Sequence, residues 1–139
     1  MKLLLIQILV LVLASCERNV PFIPSESELV IAHFINLLSI DEIDYMRDDE
    51  GYFITDLSVE ALESYSDKAH ERASNSHTIH MKSQCQLDKL IDKLNEEKVV
   101  YVLTQNEPVP FVVVGGSDNG GYRISGYAAM YDSQCAPNA

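Results

Sequence analysis

Ten carboxylates crowd one short stretch of this chain. Between residues 41 and 67 stand Asp41, Glu42, Asp44, Asp48, Asp49, Glu50, Asp56, Glu60, Glu63 and Asp67, against the single base Arg47. Oxygen ligands at that density suit a hard divalent cation or a docking face for a basic protein. The run Asp48-Asp49-Glu50-Gly51 invites comparison with an EF-hand loop. With Gly51 at loop position six, however, Met46 falls at position one and Leu57 at position twelve, where oxygen ligands are required. The calcium reading fails on that spacing. A solvated acidic face and a partner-facing one both remain open. In the second, Asp41, Glu42, Asp44, Asp48, Asp49, Glu50 and Asp56 are the residues expected to meet the partner, since such charge steers a cationic surface toward it.

The other reactive residue types assemble less well. His70, His77 and His80 lie within eleven residues, with Cys85 close behind. On one helix His77 and His80 would share a face; on a strand they would oppose each other. Their spacing matches no zinc signature, so no metal site is expected. No serine stands in a Gly-x-Ser-x-Gly elbow, and Gly116-Ser117-Asp118-Asn119-Gly120 lacks that spacing. Cys–His catalysis would need a reduced Cys85 or Cys135. The glycine-rich residues 115–121 lack the Lys-Ser/Thr of a phosphate loop and, with a strand expected to follow, read as a hairpin turn. No catalytic residue and no cofactor is therefore expected.

Composition narrows the class. A chain of 139 residues predicts one domain, and at 47% hydrophobic it is too apolar for a disordered acidic tail. The formal net charge of −11 excludes a basic, phosphate-tracking nucleic-acid binder and a polybasic lipid-docking patch.

The N-terminus carries an address. After Lys2, residues 3–13 are apolar except for Gln7. Eleven helical residues rise roughly 16 Å, about half of a hydrocarbon core, which suits a signal peptide and not a membrane span. The run ends in Leu13-Ala14-Ser15-Cys16, which resembles the lipobox of bacterial lipoproteins. That resemblance implies cleavage before Cys16 and lipidation of its thiol. The alternative is an ordinary signal-peptidase cut after Ala14, with small residues at Val12 and Ala14. Cysteine parity favours the lipobox: with Cys16 acylated, Cys85 and Cys135 remain as an even pair, expected to form a disulfide in an oxidising compartment. Glu17, where Asp retains such proteins in the inner membrane, implies an outer-membrane anchor with the domain facing the periplasm.

Domain organisation follows. Residues 1–15 read as the removed signal, 16–25 as lipidated cysteine and tether, 26–135 as one domain and 136–139 as a tail. A first helix is expected from Ser25, with Glu28 completing a capping box. It is apolar from Leu29 to Ile40 except for a stripe of His33, Asn36 and Ser39. Helices are also expected over 58–73 and 86–97, the latter carrying Leu87, Leu90, Ile91 and Leu94 at i, i+3, i+4, i+7. Strands are expected over 98–104, 109–114 and 122–130, with a fourth over 77–82. Alternation along the last main strand would set Tyr127 and Tyr131 on the face opposite Tyr122 and Met130. The predicted fold is α+β: about three helices packed on one face of a small antiparallel β-meander of three or four strands.

Helices followed by a meander ending in Tyr122-Arg123-Ile124-Ser125-Gly126 are similar to small NTF2-like lipoprotein domains. That likeness implies a cone-shaped pocket, and with it a small-ligand-binding domain or an enzyme. The residues themselves favour the other expectation: a membrane-anchored periplasmic protein that binds a basic protein partner without catalysis, as an immunity-type inhibitor or an envelope accessory factor.

Overall fold

A computed structural model describes residues 20–104, 110–115 and 120–136, with the side chains of 120–122 outside that description. The signal segment, Cys16 and glycine-loop residues 116–119 lie outside the described residues.

Helix α1 (Glu28–Ile40) buries Leu29, Val30, His33, Phe34, Leu37 and Leu38, a broad face repeating every four residues. It starts later than a Ser25 cap requires. Ser27 is the N-cap without a side-chain bond, and Ser25 Oγ instead accepts the Ser27 N–H at 3.0 Å. Its end is a Schellman closure, with Ile43 N–H donating to the Leu38 carbonyl and Glu42 N–H to that of Ser39. Glu42 occupies the left-handed position at φ 56°, where glycine is usual.

A two-residue hairpin follows, β1 (Met46–Arg47) against β2 (Phe53–Ile54), with Met46 opposite Ile54 and Arg47 opposite Phe53. Phe22 bridges the other edge of β2. Helix α2 (Val59–Ser74) begins as its sequence predicts. Ser58 Oγ accepts the Ala61 N–H, and Leu57 and Leu62 join the same apolar cluster. That cluster centres on Phe34, Leu38, Phe53 and Leu62. Phe34 meets Phe53 edge-on at 5.1 Å between centroids, and both are fully buried. Each such side chain stabilises the fold by roughly 1.5–3 kcal/mol.

The second half builds a separate core. Strands β3 (His77–Ile79), β4 (Tyr101–Thr104) and β5 (Phe111–Val114) form an antiparallel sheet in the order β3-β5-β4. Val112 and Val114 point inward from the central strand. Under them lie Leu87, Leu90 and Leu94 of α3 (Gln84–Glu96), together with Ile124 and Ala128 of α4 (Gly120–Cys135). Ser83 caps α3 by accepting the Gln86 N–H.

Residues 120–135 are therefore a fourth helix and not the strand expected over 122–130. The helical period is present in Ile124, Tyr127, Ala128 and Tyr131, at i, i+3, i+4, i+7. Packing on α3 selects it over the β-rich composition of the segment. Tyr127 and Tyr131 accordingly share one face, with ring centroids 6.5 Å apart. The architecture is α+β, with four helices and two small antiparallel sheets among the described residues.

Candidate functional site

The acidic segment is carried by the loop leaving α1, the hairpin and the entry to α2. Asp41, Glu42, Asp44, Asp48, Asp49, Glu50 and Asp56 are all exposed. Two of them have structural employment. Asp48 accepts the backbone N–H of Glu50 at 3.0 Å and of Tyr52 at 2.8 Å, which closes the hairpin turn around Gly51 at φ 92°. Asp41 accepts the Tyr65 hydroxyl at 2.5 Å, tying the end of α1 to α2 and raising the Tyr65 phenol above its ordinary range. Glu42, Asp44, Asp49, Glu50 and Asp56 enter no ion pair among the described residues. Arg47, the one nearby cation in sequence, lies over the Phe53 ring at 5.4 Å. Glu60, in the first turn of α2, has its carboxyl held low by its own backbone N–H and then by the Ser58 hydroxyl.

A shallow groove of about 210 Å3 opens on this hairpin, lined by Asp44, Tyr45, Met46, Ile54, Thr55 and Asp56. Tyr45, Met46, Ile54 and Thr55 went unnoticed in the sequence because strands of two residues carry no readable alternation. The available signal was the placement of Asp44 and Asp56 about the Asp48–Gly51 turn.

The three grouped histidines do not converge. His70 Nδ1 sits 2.9 Å from the Ser66 carbonyl oxygen, His80 packs its ring 5.0 Å from Phe111, and His77 pairs with Val114 in the sheet. No cluster of metal-ligating side chains occurs among the described residues. The fourth histidine, His33, is different. It is 5% exposed, and neither ring nitrogen has a hydrogen-bond partner among the described residues. Burial, with the Arg72 charge in addition, lowers its pKa from 6.5.

Cys85, at the start of α3, and Cys135, the last residue of α4, are joined in a disulfide with Cα atoms 5.9 Å apart. The same helix pair carries a polar seam. Glu97 accepts the Tyr127 hydroxyl at 2.7 Å and pairs with Arg123 at 2.9 Å. The Tyr127 bond is the leading cause of a lowered Glu97 carboxyl pKa, with the Arg123 charge acting in the same direction. Lys93 and Lys89 cover the Tyr127 and Tyr131 rings. These tyrosines thus seal the helix–helix contact and form no aromatic sheet face. The strand that carried the likeness to NTF2-like domains, residues 122–126, belongs to this helix as well. Likewise the glycine-rich stretch after β5 leads into a helix, not into a further strand.

No known protein family, curated protein or solved structure matches the chain.

Proposed function

We propose that the protein is a lipid-anchored periplasmic lipoprotein that acts without catalysis, by binding a basic protein partner through the segment spanning residues 41–56. The observation that supports this most is the set of exposed carboxylates on Glu42, Asp44, Asp49, Glu50 and Asp56, which no cation of the described chain neutralises. Uncompensated charge of one sign on one segment speeds encounter with an oppositely charged surface and disfavours like-charged ones. Anchoring through Cys16, with the outer membrane favoured by Glu17, would hold that face in the periplasm. An immunity-type inhibitor and an envelope accessory factor both fit this chemistry.

The test is capture of partners by the tagged full chain from detergent-solubilised envelope, washed at low and at high salt. A partner lost on raising the salt supports the reading. A partner retained regardless of salt moves the contact away from the acidic segment. For the anchor, Cys16→Ser is expected to release the protein from the membrane fraction, and continued sedimentation with membranes refutes acylation.

A further inference from the structure

The hairpin groove has two kinds of wall. Met46 and Ile54, partners in the β1–β2 ladder, supply apolar lining on the groove, and Met46 is 66% exposed. Asp44 lies two residues before Met46 and Asp56 two after Ile54, just beyond the ends of the paired residues, and both carboxylate residues line the groove. Like charges lining one groove repel, and neither carboxylate is in an ion pair among the described residues. Beside the groove the sheet has an open edge. Phe53 exchanges both backbone hydrogen bonds with Phe22, at 3.0 and 2.8 Å, so its ladder partner Arg47 turns its own N–H and C=O outward.

We propose that this groove and edge bind an extended segment of the basic partner, with one Lys or Arg seated in the groove. Its aliphatic stem lies on Met46 and Ile54, and its charged head lies between Asp44 and Asp56. The backbone of the segment adds beside β1 through Arg47, so main-chain bonds supply attachment and the groove supplies selectivity. Other occupants fit less well. A hard cation such as Ca2+ or Mg2+ needs about six oxygen ligands, whereas this groove offers two carboxylates beside Met46 and Ile54, and no group of three ligating side chains occurs among the described residues. A second copy of the chain, itself at −11, would bring carboxylates to carboxylates.

The inference rests on the docking reading above and narrows it to one place. It is tested by NMR titration of the isotope-labelled full chain in detergent micelles. The probe is acetyl-Thr-Val-Lys-Val-Thr-amide, with a control peptide carrying norleucine in place of lysine. Saturable shifts are expected at the amides of residues 44–48 and 54–56. Affinity should fall roughly fivefold for the norleucine peptide and for the D44N/D56N variant, while D92N, at an exposed position on α3, leaves it unchanged. Equal binding of both peptides, indifference to D44N/D56N, shifts centred elsewhere, or no shifts at all would each overturn the proposal. Salt-sensitive partner capture that survives D44N/D56N removes the groove and leaves the docking reading standing. No salt-sensitive capture by the wild type removes both.

Discussion

The ring of His33 in α1 packs directly against Gly115 at the end of β5, so closely that position 115 has no room for a Cβ. This contact joins the two halves of the molecule. His33 belongs to the helix at the centre of the first core, and Gly115 follows Val114 of the second. The backbone carbonyl of Arg72, on α2, closes the third side, 3.1 Å from where a Cβ on Gly115 would stand. Glycine is required here by close approach, not by backbone conformation.

Gly115→Ala is therefore expected to destabilise the fold by about 1–3 kcal/mol, the usual range for overpacking a tight site. His33→Ala in the same chain should recover part of that loss, because the Arg72 carbonyl still crowds position 115. Denaturant unfolding of the two single variants and the double variant measures the coupling. Simple additivity would show that the ring and the glycine do not oppose each other.

The same contact makes stability depend on pH. His33 has a folded-state pKa below its unfolded value of 6.5, with burial as the first cause and the Arg72 charge as the second. The stability linked to its neutral ring is thus complete above about 6.5 and is lost as the pH falls below it toward the lower folded value. The melting temperature should drop between about pH 7 and pH 5 by more in the wild type than in His33→Leu. His33→Leu should also be more stable by about 1 kcal/mol at neutral pH, since it removes two unpaired buried nitrogens. Parallel pH profiles for the two proteins would exclude His33 as the source.

Reduction of the Cys85–Cys135 bridge should cost about 4 kcal/mol in the chain-entropy account, given a sequence separation of 50. The denaturation midpoint with and without a thiol reductant measures this. Because the bridge ties the end of α4 to α3, hydrogen exchange in the last turns of α4 should accelerate first. Unchanged protection there would mean that the Lys82–Asp132 and Lys89–Gln134 contacts and the Glu97–Tyr127–Arg123 seam hold the helix without the bridge.

Within the acidic segment, neighbouring carboxylates should behave differently. Asp48→Ala removes two turn bonds and is expected to lower stability by about 1–2 kcal/mol, whereas Asp49→Ala should change it little. Thermal unfolding of the pair separates them. Equal effects would deny Asp48 its role in the turn.

Much of this fold can be read from local signals. Ser58 with its Leu57–Leu62 staple marks the start of α2, and the leucine spacing over 87–94 marks α3. The strands at 77–79, 101–104 and 111–114 have β-rich composition. The failures have physical causes. Residues 120–135 carry Ile124, three tyrosines and Gly126, none of them strong helix formers, and tertiary packing on α3 outweighs that propensity. The β1–β2 hairpin is too short for alternation to register, so Tyr45, Met46 and Ile54 stayed hidden while the acids around them stood out. Composition likewise could not separate Asp41 and Asp48, which hold structure, from Asp44 and Asp56, which face the groove.

The functional account stands on those uncommitted charges. A variant with Glu42, Asp44, Asp49, Glu50 and Asp56 replaced by their amides keeps the Asp48 turn and the Asp41–Tyr65 bond, so it should fold as the wild type does. Its recovery of partners from envelope, compared with that of the wild type at low salt, is the measurement to make. The account predicts that a basic protein held by the wild type is lost from the amide variant. Retention of the same partner at wild-type yield would contradict it.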